Sequence, residues 1–263
     1  MRGSAQKYPD LNATNGVIKA RLPPSAVSGS EFLRYRQHLM QRVPEPELMD
    51  DADQAKAYAA ADFSAGDQQT IALIRALVSE TTTGACPTRV IDLGCGPGNI
   101  TLRLSEVFPA AEVIGVDGAV EMLKLARARA TAMQRRVNFV ACSLQHLNDS
   151  ALLGTADLIV SNSLLHHLHQ PDLLWMLTRT LARPGCRVLH RDLRRPASPA
   201  ELDRLQHRYL PDAPKVLLND FRASLAAAFE LEEVESQLQS AGLTGLNVVA
   251  EGDRYLVVSG LVD

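Results

Sequence analysis

The stretch Val90-Ile91-Asp92-Leu93-Gly94-Cys95-Gly96-Pro97-Gly98-Asn99 constrains this chain more than any other. Val90, Ile91 and Leu93 read as the end of a buried parallel strand. A glycine-rich turn follows at once, and Ile100, Leu102, Leu104 and Val107 then alternate with Arg103, Ser105 and Glu106 as in a helix packed on a sheet. Strand, glycine turn and helix form the front of a nucleotide-binding βαβ unit. The dinucleotide fingerprint G-x-G-x-x-G fails by one residue, because its third glycine falls at Asn99. Pro97 removes a backbone N–H that a pyrophosphate cradle would use. The phosphate-loop motif fails too, since no Gly-Lys-Ser/Thr follows.

From Val90 to Gly98 the stretch resembles motif I of the class I S-adenosylmethionine (SAM)-dependent methyltransferases. The second strand, Glu112–Val116, ends at Asp117, 19 residues after Gly98, where the expected spacing is about 20. A carboxylate there can accept both ribose hydroxyls of a nucleoside lying across the turn. The continuation Gly118-Ala119-Val120-Glu121-Met122-Leu123 is similar to the family's D-x-S-x-x-M-L, whose methionine packs on the adenine, with Ala119 in place of the serine. The third strand, Arg136–Cys142, leads to Cys142-Ser143-Leu144, where the family usually has an acidic residue for the adenine amino group and this chain offers the neutral Ser143 hydroxyl. The resemblance thus implies SAM as cofactor, with S-adenosylhomocysteine (SAH) as product. It implies a cofactor site of Asp92, Gly94, Cys95, Gly96, Gly98, Asp117, Gly118, Met122, Cys142, Ser143, Leu144 and Asn162.

Composition agrees. A chain of 263 residues, 46% hydrophobic, can bury one large core or one domain with a modest appendage. No apolar run approaches the roughly 20 residues of a membrane span. The net charge of −3 provides no global basic field for nucleic acid. The four cysteines, Cys86, Cys95, Cys142 and Cys186, show no C-x-x-C spacing, which reads as reduced thiols in a cytoplasmic enzyme.

Residues 1 to about 30, rich in Pro, Gly, Ser, Asn and Ala, read as a loose arm. Ser30–Arg42 reads as a short helix stopped by Val43-Pro44-Glu45-Pro46, and Asp50–Ala61 as an alanine-rich helix with an acidic start. Five of the twelve aromatics, Tyr8, Phe32, Tyr35, Tyr58 and Phe63, fall in this first quarter. Such helices resemble the N-terminal lid of small-molecule methyltransferases, which implies substrate contacts from Phe32 and Tyr35; the alternative is that the aromatics glue the helices to the core.

The fourth strand, Ala156–Ser161, is followed by Asn162-Ser163-Leu164-Leu165-His166-His167-Leu168-His169. This resembles the S-N-x-x-x-H-H-L of small-molecule methyltransferases, including the quinone and menaquinone C-methyltransferases, and makes His166 and His167 the candidate catalytic pair, with a core or capping histidine as the alternative. No metal site is expected: two adjacent histidines point in different directions on a helix, and no partnering cysteine or carboxylate cluster is evident. The fifth strand, Arg187–Leu193, ends in Arg191-Asp192-Leu193-Arg194-Arg195-Pro196, similar to the D-L-x-R-P of the same subgroup; Arg191 and Arg194 are candidate contacts to an anionic substrate, against a solvated charge cluster. Helices over Asp67–Val78, Pro171–Ala182, Ser198–Leu210, Asp220–Ala228 and Leu231–Ala241, and a final hairpin of Gly245–Glu251 with Tyr255–Gly260, complete the chain.

The βαβα alternation argues an α/β, Rossmann-like doubly wound sheet. By resemblance it has seven strands in the order 3-2-1-4-5-7-6 with an N-terminal helical extension: residues 1–64 as arm and lid, 65–263 as the SAM-binding domain. The function implied is methyl transfer to a small-molecule acceptor by a cytoplasmic monomer or homodimer. A peptide or RNA methyltransferase and a SAM-binding protein without transfer activity are the alternatives; no N-P-P-Y-type motif or basic stripe favours the first.

Overall fold

The computed structural model describes residues 40–45, 63–79, 85–147 and 151–263, of which Met40–Asp263 form one compact unit. The expected arm, the helices over Ser30–Arg42 and Asp50–Ala61, and the candidate contacts Phe32 and Tyr35 lie outside the described residues, apart from Met40–Arg42 and Phe63, which run as irregular chain.

The elements in order are α1 (Ser64–Ser79), β1 (Arg89–Leu93), α2 (Asn99–Val107), β2 (Glu112–Asp117), α3 (Val120–Ala132), β3 (Asn138–Ala141), β4 (Ala156–Asn162), α4 (Asp172–Leu181), β5 (Ala182–Leu193), α5 (Pro199–Tyr209), α6 (Lys215–Ala227), α7 (Leu231–Ser240), β6 (Leu246–Glu251) and β7 (Tyr255–Val262). The seven strands form one sheet in the order β3-β2-β1-β4-β5-β7-β6. β1 to β5 are parallel, and β7 runs antiparallel to both β5 and β6. This is the expected doubly wound order.

Strand periodicity sorts the core into two layers. Val90, Val113, Leu158 and Val160 point to one face, where Ile71, Ile74 and Val78 of α1 and Ile100 and Leu104 of α2 cover them. Ile91, Leu93, Ile114, Val116 and Ile159 point to the other, under Leu174, Trp175, Leu177 and Leu181 of α4 and Val234 and Leu238 of α7. With both faces covered, the central strands tolerate no alternation of apolar and polar residues, which is why they read as continuous apolar runs. Among the polar groups inside, buried His190 lies between the Ser161 hydroxyl at Nδ1 (2.8 Å) and the Thr178 hydroxyl at Nε2 (2.9 Å).

Several boundaries differ from expectation, three of them with a visible cause. β3 is only four residues long, because its pairing with β2 runs from Ile114↔Asn138 to Asp117↔Ala141. β5 starts at Ala182 rather than Arg187: Ala156 pairs Ala182 and Leu158 pairs Arg187, so Arg183–Cys186 bulge out between two paired stretches. The bulge is pinned by an ion pair of Arg183 with Asp157, whose other oxygen accepts the Thr88 and Arg89 N–H groups at 2.7 and 2.9 Å. α6 begins at Lys215, directly after Pro214, five residues before the expected Asp220.

Candidate active site

The carboxyl ends of β1, β2, β4 and β5 open onto a cavity of about 600 Å³, within the range of small-molecule and cofactor sites. Its floor is the turn after β1. Gly94 takes φ +65°, and a Cβ there would meet Leu164 Cδ1 at 2.5 Å, so only glycine permits this approach between the turn and the segment after β4. The Asp92 side chain, 1% exposed, accepts the Thr101 hydroxyl of α2 at 2.6 Å and ties the turn to the helix. Burial lifts its pKa to about 7 against the pull of the Thr101 hydrogen bond, with Asp117 and Asp67 adding to the rise.

Asp117, at the end of β2, holds the turn from the other side. Its Oδ2 accepts the Gly96 N–H and its Oδ1 the Ala119 N–H, both at 2.7 Å. Each carboxylate oxygen has a second lone pair, so this pinned group can also accept from a vicinal diol. Gly94, Cys95, Gly96, Gly118, Met122, Ser143, Leu144 and Asn162 share the cavity wall with Asp92 and Asp117. Two expected cofactor residues do not line it. Gly98 closes the turn through its N–H to the Cys95 carbonyl (2.9 Å) and faces Ala126 and Phe139. Cys142 packs against the core behind β3. Asn162 spends its Oδ1 on the Thr70 hydroxyl of α1 at 2.8 Å.

After β4 the chain turns at Ser163, whose φ of +57° is the left-handed conformation that non-glycine residues seldom adopt. This sends Leu165–His167, one turn of 3₁₀-helix, along the cavity. The two imidazoles do not diverge as expected: their centroids are 4.2 Å apart at 35°. Nor is the site without a carboxylate. Glu45 Oε1 lies 3.4 Å from His166 Nε2 and 3.2 Å from His167 Nδ1. On the far side, His166 Nδ1 meets Asp192 Oδ1 at 2.5 Å, and Asp192 also accepts the Leu165 and Leu193 N–H groups at 2.6 and 2.7 Å. Burial works against charge on the His166 ring, but Asp192 and then Glu45 outweigh it, so the pKa lies above the ordinary histidine value. Asp192 in turn is held below the usual carboxylate range: burial raises it, and the His166 imidazole more than reverses this.

The arginines also depart from expectation. Arg191 lines the cavity but is 2% exposed; Nη2 and Nε both donate to Glu251 Oε2 (2.8 and 3.0 Å), and the guanidinium stacks 3.6 Å from the Tyr255 ring centroid. Arg194 is off the cavity wall, with its side chain donating to the Gly252 carbonyl at 3.4 Å. Arg195 is a structural cation, donating to Met40 and Ala228 carbonyls and to Glu233. The cavity arginine that sequence reasoning missed is Arg254. It stacks on Tyr209 at 3.3 Å and has no acidic partner among the described residues. Glu45 and Asp192 were missed as well: one sits in a proline stretch read as a helix stop, the other inside a motif read for its arginines.

Residues 90–185 match the family described as "Methyltransferase domain". A trans-aconitate 2-methyltransferase of Methylobacterium nodulans is 34% identical over 179 residues, covering 67% of this chain and 58% of that protein. A malonyl-[acyl-carrier protein] O-methyltransferase of Legionella pneumophila is 30% identical over 101 residues, 38% of this chain and 34% of that protein. The chain therefore spans at most about three fifths of the length of these curated relatives. Among solved structures, the plantazolicin methyltransferase BpumL in complex with a triazolic desmethylPZN analog and SAH superposes with a TM-score of 0.66 at 15% identity, over 81% of this chain and 92% of that one. A SAM-dependent methyltransferase from Aquifex aeolicus gives 0.59 at 16% identity, over 81% and 99%. These two likenesses bear on the fold. Residues 90–185 thus match a methyltransferase domain, and the sheet order and glycine turn around them are those of the class I SAM-dependent methyltransferase fold.

Proposed function

We propose that the cavity binds SAM and that the chain transfers its methyl group to a small acidic molecule. The observation that carries this is Asp117. Its carboxylate is fixed by the Gly96 and Ala119 N–H groups at the lip of a cavity built on a glycine turn, as a ribose-binding carboxylate must be. Met122 and Leu144 offer apolar walls to an adenine ring, and Ser143 a hydroxyl to its edge. Cys95, Gly118 and Asn162 complete the proposed cofactor contacts, with Gly98 and Cys142 as supports of the turn and of β3 rather than contacts.

When bound, SAM supplies a methyl group made electrophilic by a sulfonium. The chain's own residues align the acceptor, exclude water and balance its charge. Arg254, stacked on Tyr209, is suited to a carboxylate of the acceptor. The relatives' names, trans-aconitate and malonyl, are those of carboxylate-bearing compounds, which supports the same assignment. An acceptor oxygen already ionised at neutral pH needs no general base. His166, locked between Asp192 and Glu45, and His167 beside it are then orienting groups rather than proton acceptors.

The test is SAH release from the full chain with a panel of small mono-, di- and tricarboxylic acids, alongside calorimetric SAM binding. Turnover on one or more acids is expected. SAM binding with no turnover on any acid would overturn the acceptor class, and no SAM binding would overturn the whole reading.

Two finer readings belong here. Residues 1–64 are proposed as arm and lid and 65–263 as the SAM-binding domain; deleting residues 1–39 is expected to leave SAM affinity unchanged and to raise the acceptor KM. No helix among the described residues is long and apolar enough to cross a membrane. The four cysteines are free, as in a reducing compartment, so the cytoplasm is the proposed location, and a monomer or homodimer the proposed state.

A further inference from the structure

We propose that Glu45, His166 and His167 form a binding site for one divalent transition-metal ion, open on its remaining side to the cavity. Two imidazole nitrogens converge on one carboxylate oxygen: His166 Nε2 lies 3.4 Å and His167 Nδ1 3.2 Å from Glu45 Oε1, and the three atoms all lie within 4.8 Å of one another. At metal–ligand distances of about 2.0–2.1 Å and tetrahedral angles, two ligands of one zinc-like ion stand about 3.3 Å apart. Both separations, 3.4 and 3.2 Å, lie close to that value. A shared proton would instead draw an N–H and a carboxylate to about 2.7–2.9 Å.

Three further observations point the same way. Glu45 Oε1 is buried and has no hydrogen-bond partner among the described residues, an expensive state for a carboxylate oxygen unless a cation answers it. His166 Nδ1 is held at 2.5 Å by Asp192, itself fixed by two backbone N–H groups. A carboxylate behind a histidine sets the tautomer and aims the other nitrogen, as it does behind metal-bound imidazoles. The cluster is also acidic once its imidazoles are neutral: two carboxylates carry −2, and Arg42, the cation beside them, makes its side-chain hydrogen bonds to the carbonyls of Ala227, His166 and Leu168 rather than to Glu45.

Two imidazoles and one carboxylate suit zinc, cobalt, nickel or ferrous ions rather than calcium or magnesium, which take oxygen ligands. Three protein ligands with an open position is the arrangement of a site that receives an exchangeable oxygen. His166 and His167 both line the cavity, so a carboxylate or hydroxyl oxygen of the acceptor can complete the coordination. Metal binding itself stands apart from the methyltransferase reading; the acceptor's role in it rests on that reading.

The test uses the full, untagged chain, freed of metal by chelation and titrated with Zn²⁺ by calorimetry and with Co²⁺ by visible absorption. One equivalent is expected, with the cobalt spectrum of a four- or five-coordinate nitrogen–oxygen site. Glu45→Gln and His167→Ala, checked for fold by circular dichroism, are each expected to weaken binding at least 100-fold. Asp192→Asn is expected to weaken it about 10–100-fold. Either ligand variant alone suffices if the other fails to fold. No saturable binding, or binding unchanged in a folded ligand variant, overturns the proposal and leaves a proton-linked cluster of acids and histidines. SAM titration of the same samples separates the two readings: metal without SAM sinks the methyltransferase assignment alone, and SAM without metal sinks this one alone.

Discussion

Removing the carboxylate of Asp117 tests the cofactor site at its most constrained point. In the structure both oxygens are engaged by backbone N–H groups at 2.7 Å, one from the glycine turn and one from the start of α3. A ribose diol would use the second lone pair of each oxygen, and hydrogen bonds to a charged acceptor are worth about 1.5–3 kcal/mol each. Asp117→Ala therefore removes about 3–6 kcal/mol of cofactor binding, a rise in Kd of about 10²–10⁴ at 1.4 kcal/mol per tenfold. Asp117→Asn keeps one oxygen acceptor and turns the other position into a donor facing an N–H, so its Kd rises about 10–100-fold. Ala119 is 3% exposed, and its N–H loses its acceptor in the alanine variant, so urea unfolding should report a stability loss of about 1–3 kcal/mol. Calorimetric titration with SAM and SAH measures the first effect, and the denaturation midpoint the second. A folded Asp117→Ala protein that binds SAM within threefold of the parent refutes the assignment of the ribose site.

Gly94→Ala places a Cβ 2.5 Å from Leu164 Cδ1 at φ +65°, so it should destabilise the chain by about 2–4 kcal/mol in chemical unfolding and weaken SAM binding with it. Arg254→Gln should raise the KM for an acidic acceptor about 10–100-fold in initial-rate assays and leave SAM affinity unchanged. Asp92 has a folded pKa of about 7 against an ordinary 3.8, so the folded chain keeps a proton that the unfolded chain gives up; this contribution is full below about pH 4 and is lost as pH rises through about 7, and Asp92→Asn should flatten the urea midpoint between about pH 4 and 7. His190 behaves in the opposite sense: burial lowers its pKa to about 3, with Asp192 opposing, so its contribution is full above pH 6.5 and is lost as pH falls through about 3, and His190→Gln should reduce acid sensitivity between pH 6 and 4.

The fold was legible because its rules are local and periodic. Each central strand is a short apolar run buried on both faces, and a glycine after β1 and a carboxylate at the end of β2 mark where the chain leaves the sheet. Boundaries went astray where a tertiary contact overrode the local pattern. Residues 183–186 fall between the expected helix Pro171–Ala182 and the expected strand Arg187–Leu193, yet the chain pairs with β4 on both sides of them, because Ala182 pairs Ala156 and Arg183 reaches Asp157. Val137 and its neighbours read as strand, but β2 offers β3 a pairing edge only between Ile114 and Asp117.

The candidate site divides along the same line. The half built from motif I and Asp117 could be read because its spacing is set by one βαβ unit, in which the cofactor meets consecutive strand ends. The half around His166 could not, because its partners come from distant parts of the chain: Glu45 lies 121 residues before His166, and Asp192 lies 26 residues after it on the neighbouring strand. Parallel strands place β4 and β5 side by side, with Asn162 paired to Arg191, so Asp192 necessarily stands beside the residues leaving β4. That contact follows from topology, and a reading that had combined the expected strand order with the acid in Arg191-Asp192-Leu193 could have found it. Glu45 follows from no such rule. It is held where it is by Arg42, which donates to three backbone carbonyls, and by the Val43 N–H on the Ala226 carbonyl. An irregular segment is positioned by the surface it lies on rather than by its own pattern, so a functional group on it becomes visible only when that surface has been built.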